Sequence, residues 1–369
     1  MSLLTPVLGT VPEWAFVRAV VLVFAASALI RLIPIRRNGQ RRRRAGPDYL
    51  AWTAGTLGIL VLVTAGAFTV HRTHPAQQAA DAGWTGGVSS SVVNPATPYL
   101  GVFEPGATAS YTGVTKFSQA TGLKVGISLY YSGWNDPFQV RFATQAKDSG
   151  AIPFVQMLPT SISLASIAAG QYDGYLRSYA GAVREYGDPV VVGFAPEMNG
   201  GWYSWGDGRT SPATYVAAWR HVVTVFRQAG AANAIWLWTV NSVNASRAPL
   251  KQWWPGASYV TWAGIDGYYY RSSDTFTSVF GTTIDQLRTF TSKRILISET
   301  AAGPNPARAG QISGLLRGVR ENRLLGVVWF DEAQHQGSYH QDWRLEDSEP
   351  AVTAFRRAAV TAGLGRGSP

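Results

Sequence analysis

The 369-residue sequence contains no cysteine, although 46% of its residues are hydrophobic. Disulfide bonds are therefore excluded, and the fold must be stabilised by burial of apolar side chains alone. This suits a large domain of about 250 residues or more, because the fraction of surface that folding buries rises with chain length.

Acidic residues are scarce in the first part of the chain. Residues 1–75 contain nine arginines, no lysine and only two acids, Glu13 and Asp48, so this part has a net charge of +7 out of the total of +10. The other 294 residues share a charge of only +3. Such a nearly neutral domain lacks the basic surface that polyanion binding requires, and we expect no nucleic-acid partner.

Charge is absent altogether from residues 49–70, a run of 22 residues that is long enough to cross a bilayer as a helix. We predict a transmembrane helix there. Residues 14–35 are also apolar, with Arg18 and Arg31 near the ends, where long side chains reach the interface. They predict a first span after a tail of residues 1–13, with a signal peptide as the alternative.

The sequence between these two runs is strongly basic. Residues 36–44 contain six arginines, within a loop of residues 36–48. A short basic loop between apolar spans is typical of the cytoplasmic side of a membrane. The chain after Val70 is therefore predicted to be extracytoplasmic, beginning with a linker at residues 71–98 that is rich in alanine, glycine, serine and proline.

Short apolar runs alternate with helical patterns from residue 99 to residue 365. The predicted strands are residues 99–103, 124–131, 152–158, 189–197, 234–240, 262–268, 294–299 and 325–330. Continuous apolar character indicates parallel strands that are covered on both faces. Eight strands with helices between them predict a (β/α)8 TIM barrel, within the α/β class, preceded by one or two transmembrane helices.

The alternative fold is an open, doubly wound sheet, but the first strand is not followed by the glycine-rich fingerprint of dinucleotide-binding domains. No set of histidine, aspartate and glutamate has the spacing of a metal site. We therefore predict no metal and no cofactor.

Two glutamates end predicted strands, Glu197 the fourth and Glu299 the seventh. The carboxyl ends of barrel strands form the active-site face, so these acids are predicted to meet across its mouth. Two carboxylates about 5 to 5.5 Å apart are what retaining cleavage of a glycosidic bond needs. Asp266 is interpreted as a buried structural acid, and Asp331 and Glu332 lie at the same rim after the eighth strand, either as further charges of the site or as simple loop acids.

Aromatic and amide side chains follow the same strand ends, and such groups stack on sugar faces and bind hydroxyls. The candidate substrate-binding residues are Trp134, Asn199, Trp202, Trp205, Tyr268 and Trp329. Asn135, Gln156 and Asn241 are further candidates for binding hydroxyls. Together they predict a cleft for a polysaccharide.

At this point the sequence resembles a known family. The segment FAPEMNGGWYSWG, residues 194–206, is similar to the acid/base segment of glycoside hydrolase family 26, the retaining β-mannanase family of the (β/α)8 glycosidase clan. The resemblance extends over roughly residues 99–360, through residues 215–241 and through GIDGYYY, ISETA, VVWFDE and QDWRLEDSEPAVTAFR.

The resemblance implies that Glu197 is the general acid/base and that Glu299 is the nucleophile. It also implies that Tyr268 steadies the nucleophile and that Trp329 packs under the sugar at the cleavage point. One residue departs from the family pattern: Pro196 precedes the acid/base, where typical mannanases of the family have histidine.

The resulting prediction is a membrane-anchored, extracytoplasmic, retaining endo-β-glycosidase. The expected substrate is a β-mannan-type polysaccharide, with β-1,3-xylan and mixed-linkage β-glucan as the other substrates that the resemblance implies. Two alternatives stay open. One is a transglycosylase that remodels the cell's own polysaccharide, and the other is a non-catalytic polysaccharide receptor.

Overall fold

The structure of the chain, a computed structural model, describes residues 87–242, 249–333 and 341–365. Eight parallel strands form a closed barrel in chain order, with β8 paired to β1. The strands are β1 (Tyr99–Phe103), β2 (Ile127–Gly133), β3 (Ile152–Leu158), β4 (Val190–Phe194), β5 (Ala234–Asn241), β6 (Trp262–Asp266), β7 (Ile295–Thr300) and β8 (Gly326–Phe330). The predicted (β/α)8 barrel is confirmed.

Helices follow seven of the eight strands, while the described part of the β5–β6 connection holds two short 3-10 turns, Leu250–Trp253 and Ala257–Tyr259. A π-helical turn, Thr277–Gly281, precedes α7. The α-helices are α1 (Ser90–Val93), α2 (Thr112–Thr121), α3 (Val140–Asp148), α4 (Leu164–Ala168), α5 (Asp173–Tyr186), α6 (Pro212–Gln228), α7 (Thr282–Arg288), α8 (Arg308–Glu321) and α9 (Glu349–Ala362).

The ends of helix α6 follow from local sequence. Ser211 is the N-cap, and its Oγ accepts a hydrogen bond of 3.1 Å from the backbone N–H of Thr214. Pro212 occupies the first turn, where its missing N–H costs nothing. Gly230, at φ 79°, turns the chain out of the helix and into β5. These signals determine where α6 begins and ends.

The fourth strand ends three residues earlier than predicted. We expected it to run to Glu197, but it ends at Phe194, because Ala195 and Glu197 adopt the left-handed region with φ of 46° and 56°. Two such non-glycine residues on either side of Pro196 strain the backbone, and strain of this kind clusters at functional sites. The break turns Glu197 out of the strand at the mouth of the barrel.

The barrel interior has an apolar lower part and a polar upper part. Bulky side chains such as Phe154, Leu237 and Trp262 form one buried cluster inside the barrel. Above it, Ser298 donates to Asp266 at 2.6 Å and approaches Thr239 at 3.4 Å, so polar groups meet across the interior. The catalytic face therefore lies on a polar layer.

The membrane predictions concern residues 14–35 and 49–70, which lie outside the described residues, as do the tail of residues 1–13, the basic loop of residues 36–48 and most of the linker. Among the residues that the structure describes, no helix has the length and apolar character to span a bilayer.

Candidate active site

Glu197 is held at the mouth of the barrel by its backbone and by two side-chain donors. Its N–H donates to the carbonyl of Thr239 on β5 at 3.0 Å. Its Oε1 accepts from Nδ2 of Asn241 at 2.6 Å, and its Oε2 accepts from Nε1 of Trp202 at 2.9 Å. Burial raises the pKa of Glu197, and these two hydrogen bonds oppose the rise.

Glu299 lies on β7 and is 9% exposed. The hydroxyl of Tyr131 donates to its Oε1 in a short hydrogen bond, and the hydroxyl of Tyr268 donates to its Oε2 at 3.0 Å. Burial and, to a lesser extent, the charge of Glu197 raise the pKa of Glu299 to about 8, and the two tyrosine hydroxyls oppose both effects. Two phenolic donors are suited to an ionised carboxylate that must stay anchored while it reacts.

The two carboxyl groups line the same cleft and interact electrostatically. Because burial and mutual repulsion both disfavour two negative charges, the pair loses its protons in two separate steps. Between these steps the pair contains one proton and one negative charge. That state is the one in which one acid can protonate a leaving group while the other attacks.

Asp266 is a third carboxyl beneath the pair and is fully buried. Its Oδ1 accepts from Oγ of Ser298, while its Oδ2 has no hydrogen-bond partner among the described residues. Burial raises its pKa well above the usual range, and the charges of Glu299 and Glu197 contribute smaller increases. Burial and the two neighbouring charges therefore favour the protonated form of Asp266, and the residue is buried, as we predicted.

The cleft above these acids has a volume of about 920 Å³. Its aromatic lining combines two of the predicted substrate-binding residues, Trp202 and Tyr268, with five other rings. The five additional rings are Tyr131, Tyr203, Tyr270, Phe330 and Trp343. The cleft therefore combines an acid pair with flat apolar surfaces on several sides, which is the lining that a chain of sugar rings needs.

Trp202 and Tyr268 lie where the prediction put them. Trp202 is 56% exposed, and its indole both lines the cleft and binds Glu197. Tyr268 also lines the cleft and binds Glu299, the contact that the family resemblance implied. Each ring therefore contributes to the wall of the cleft and orients one of the two acids.

Trp134 and Trp205, which we predicted to bind substrate, are buried and are not among the residues that line this cleft. Trp134 is 8% exposed because its ring packs against Tyr172, Tyr175 and Phe194. Trp205 is 1% exposed, and its Nε1 donates to the carbonyl of Pro196 at 2.7 Å.

Trp205 still influences the cleft indirectly. Its ring stacks on that of Tyr203 at a centroid distance of 4.3 Å, and Tyr203 lines the cleft. The hydrogen bond to Pro196 also holds the strained turn that precedes Glu197. The side chain thus supports the site from behind.

Asn199 and Trp329 are likewise buried away from the cleft, contrary to prediction. The side chain of Asn199 makes two hydrogen bonds of 2.8 Å with the backbone of Asn241, so its polar atoms are occupied. Trp329 has no exposed surface, and its Nε1 donates to Asp331 and to the carbonyl of Trp343. Its neighbour on β8, Phe330, lines the cleft instead.

Among the other hydroxyl-binding candidates, Asn241 lines the cleft and Gln156 does not. Asn241 contacts Glu197, as described above. Gln156 is fully buried in the barrel, where its amide approaches Thr239 at 3.4 Å. Asn135 is exposed and has a φ of 74°, which identifies it as a turn residue after β2.

A separate group of acids lies at the rim between β1 and β8. Glu104, Asp331 and Glu346 each place one oxygen within 4.8 Å of the other two. Burial raises the pKa of Asp331 to about 10 and that of Glu104 to about 7. The three residues come from distant parts of the chain, so no sequence spacing indicated the group.

Residues 168–298 match the family model of glycosyl hydrolase family 26. Endoglucanase H of Acetivibrio thermocellus is 30% identical to this chain over 283 residues. The matched region is 72% of this chain but 30% of that protein, so the chain spans less than a third of the length of its relative.

Solved structures of low sequence identity share the fold. A GH26 β-mannanase from Bacteroides ovatus is 14% identical with a TM-score of 0.58, covering 80% of this chain and 96% of its own. The catalytic domain of a GH26 endo-β-1,4-mannanase from Bacillus sp. JAMB-750 is 14% identical with a TM-score of 0.59, covering 74% and 88%. By the family model, residues 168–298 of this barrel match glycosyl hydrolase family 26, and the similarity to endoglucanase H extends over 283 residues.

Proposed function

We propose that this chain is a retaining endo-β-glycosidase that hydrolyses a β-linked polysaccharide and is anchored in the cell membrane with its barrel outside. The observation that carries the enzymatic part is the arrangement of Glu197 and Glu299. They line one cleft, and each accepts hydrogen bonds from two side chains of that cleft.

In the proposed reaction, Glu197 protonates the glycosidic oxygen while Glu299 attacks the anomeric carbon. This forms a covalent glycosyl-enzyme and releases the first product. Glu197 then removes a proton from water, which displaces Glu299 and releases the sugar with its original configuration. The Tyr131 and Tyr268 hydroxyls keep Glu299 oriented between the two steps.

The proposed substrate is a β-glucan or a β-mannan. Endoglucanase H, described above, is named as an endoglucanase, while the two solved structures described with it are mannanases. Pro196 has no side-chain donor for a sugar hydroxyl, unlike the histidine that the family resemblance led us to expect. We therefore rank β-glucan first, with Asn241 as the amide beside Glu197 that is available to bind a sugar hydroxyl.

Anchoring is proposed from the sequence alone. The charge-free residues 49–70, the apolar residues 14–35 and the basic residues 36–44 between them form a pattern of spans and a cytoplasmic loop. In this arrangement the barrel acts on polymer close to the cell surface.

The test is hydrolysis of a panel of β-glucans, β-mannans and β-xylans by the full chain, with the configuration of the first product followed by NMR. We expect retention of configuration and mixed oligosaccharides from internal cleavage. Glu299→Ala should lower kcat by at least about 10⁴-fold, because it removes the nucleophile. Glu197→Ala should lower it comparably on polymer, but with an activated aryl glycoside, whose leaving group needs no acid, added azide should restore turnover by attacking the glycosyl-enzyme directly.

As a control, Glu185→Ala changes an exposed acid near the C-terminal end of α5 that does not line the cleft, and it should keep full activity. Inversion of configuration, or full activity of Glu299→Ala, would contradict the proposed mechanism. Sugar binding without any product would instead support the receptor.

A further inference from the structure

Three acids from three segments of the chain converge where the barrel closes. Glu104 directly follows β1, Asp331 directly follows β8, and Glu346 lies just before α9. The backbone N–H of Asp331 donates to the carbonyl of Phe103 at 3.0 Å, which holds the two strand ends side by side. One oxygen of each acid lies within 4.8 Å of the other two.

Two of these acids are buried with an oxygen that lacks a donor. Asp331 is 1% exposed, and its Oδ1 accepts from the backbone N–H of Leu345 and from Nε1 of Trp329. Its Oδ2 has no hydrogen-bond partner among the described residues, and neither does Oε1 of Glu104, which is 9% exposed. Three carboxyl groups this close repel one another when they are ionised, so the group needs either a shared proton or a bound cation.

The basic side chains around the group do not take this role. Within the described ranges, no lysine or arginine nitrogen forms an ion pair with Glu104, Asp331 or Glu346. Arg308 is buried nearby, but its Nη2 donates to the backbone carbonyls of Trp343 and Arg344.

We propose that Glu104, Asp331 and Glu346 form a calcium-binding site. All the ligands are carboxylate oxygens, which hard cations prefer, and the group contains no nitrogen or sulfur ligand that would favour zinc. Three protein carboxylates on one ion favour Ca²⁺, because Mg²⁺ usually keeps several waters and is bound by only one or two carboxylates.

The position of Glu104 depends on a close approach to helix α2. A Cβ at Gly113, in α2, would lie 2.7 Å from Oε2 of Glu104, so a larger residue there would displace the carboxylate. Glycine in the first turn of α2 thus allows Glu104 to adopt this position.

A bound ion would join the segment before α9 to the ends of β1 and β8. That segment includes Trp343, which lines the cleft and contacts Tyr268 at a ring-centroid distance of 5.1 Å. Tyr268 in turn binds Glu299. Calcium would therefore stabilise one wall of the cleft, and the site would be needed whichever polysaccharide the barrel accepts.

The first test uses Tb³⁺, a luminescent substitute for Ca²⁺ that emits when a nearby tryptophan is excited. Trp329 contacts Asp331 directly, so a bound Tb³⁺ ion should be sensitised. The full chain, treated with chelator and exchanged into metal-free buffer, should give saturable emission with one equivalent of Tb³⁺. Added Ca²⁺ should displace it and should raise the unfolding midpoint, and Mg²⁺ should do so less effectively.

The second test compares two exposed glutamates. Glu346→Gln removes a ligand from the site, whereas Glu321→Gln changes a glutamate at the end of α8 that is also exposed. We expect Glu346→Gln to weaken Tb³⁺ and Ca²⁺ binding at least tenfold, with Glu321→Gln unchanged. Absence of sensitised emission and of any calcium effect on unfolding in the unmodified chain would overturn the proposal. Equal binding by Glu346→Gln and the unmodified chain would overturn it as well.

Discussion

At the scale of single residues, Tyr131 is the side chain with the most direct effect on Glu299 that we did not predict. It lies at the end of an apolar run, where a tyrosine is as consistent with core packing as with a role in a site. What distinguishes it is the side of the strand: its hydroxyl donates to Glu299, whereas that of its neighbour Tyr130 interacts with Tyr179 behind the barrel. The register between β2 and the other strands decides which of the two tyrosines faces the inside of the barrel. The sequence of β2 alone does not reveal that register.

Replacement of Tyr131 by phenylalanine should therefore impair the reaction without unfolding the barrel. A hydrogen bond to a charged group contributes about 1.5 to 3 kcal/mol, which corresponds to a loss of roughly 10- to 100-fold in kcat. The pKa of Glu299 should also rise, because one of the groups that lower it is gone, so the acidic limb of the pH profile, which reports ionisation of the nucleophile, should move upward. Steady-state kinetics between pH 4 and 10 measure both effects.

Tyr130→Phe is the matched control, because it removes a buried hydroxyl of the adjacent residue that does not contact Glu299. It should change stability modestly and leave the pH profile in place. A Tyr131→Phe enzyme with unchanged kcat and an unchanged acidic limb would show that Tyr268 alone suffices.

Asp266 supplies a second prediction at this scale, on stability rather than rate. In the folded chain its pKa is well above the unfolded value of about 3.9, so the unfolded chain releases this proton at lower pH. At low pH the group is protonated in both the folded and the unfolded chain. As the pH rises from about 4 towards the folded pKa, the free energy of unfolding falls, because only the unfolded chain ionises freely. Asp266→Asn cannot ionise and should escape that loss.

The free energy of unfolding of Asp266→Asn, relative to the unmodified chain, should therefore increase between pH 5 and pH 8, as chemical denaturation would measure. Ser298 can still donate to the Oδ1 that remains. A difference that is constant across this range, or that reverses sign, would mean that Asp266 is ionised in the folded protein.

At the scale of elements, the order of strands and helices was predictable from the sequence. The residues at which the strands end were harder to predict. β1 and β3 coincide with the predicted runs of residues 99–103 and 152–158, because apolar residues there are bounded by turn signals. The predicted fourth strand included Pro196 and Glu197, because the amino-acid sequence does not reveal the left-handed backbone on both sides of the proline. The same limit explains Trp329 and Phe330, adjacent aromatics of which only one faces the cleft.

The loop between β4 and α6 is an element whose shape depends on one glycine. A Cβ at Gly206 would lie 2.0 Å from the backbone oxygen of Gly200, so no side-chain movement can relieve the clash. Because the same loop presents Trp202 to Glu197, Gly206→Ala should shift the indole and lower kcat/KM at least tenfold. Kinetics combined with thermal unfolding would measure this, and we expect a smaller effect on the unfolding midpoint than on the rate.

Gly201→Ala is the control within the same loop. Its Cβ would meet only the backbone oxygen of Asp207 at 3.6 Å, an ordinary contact, and the residue is exposed next to Trp202. Activity should stay within a few-fold of that of the unmodified chain. Equal losses in both variants would mean that any change next to Trp202 is harmful and that the close approach at Gly206 is not the cause.

At the scale of the whole molecule, charge is divided unevenly along the chain. The first 75 residues have a net charge of +7, and the remaining residues have only +3. A nearly neutral barrel suits a neutral polysaccharide, since a strongly charged cleft would favour ionic polymers. The basic residues are instead concentrated where we propose a cytoplasmic loop, and their number is what should orient the chain in the membrane.

Replacement of the six arginines of residues 36–44 by glutamine tests that role. Without the positive loop, the charge difference across the proposed spans falls, so a fraction of the chains should insert with the barrel in the cytoplasm. The measurement is digestion of the barrel by protease added to intact cells, together with polysaccharide hydrolysis by whole cells. Both should fall relative to the unmodified chain, while activity after lysis stays the same, because the barrel itself is unaltered. If the arginine-free chain is digested as fully as the original, the loop does not determine the orientation, and the apolar residues 14–35 and 49–70 must orient the chain by their length and order alone.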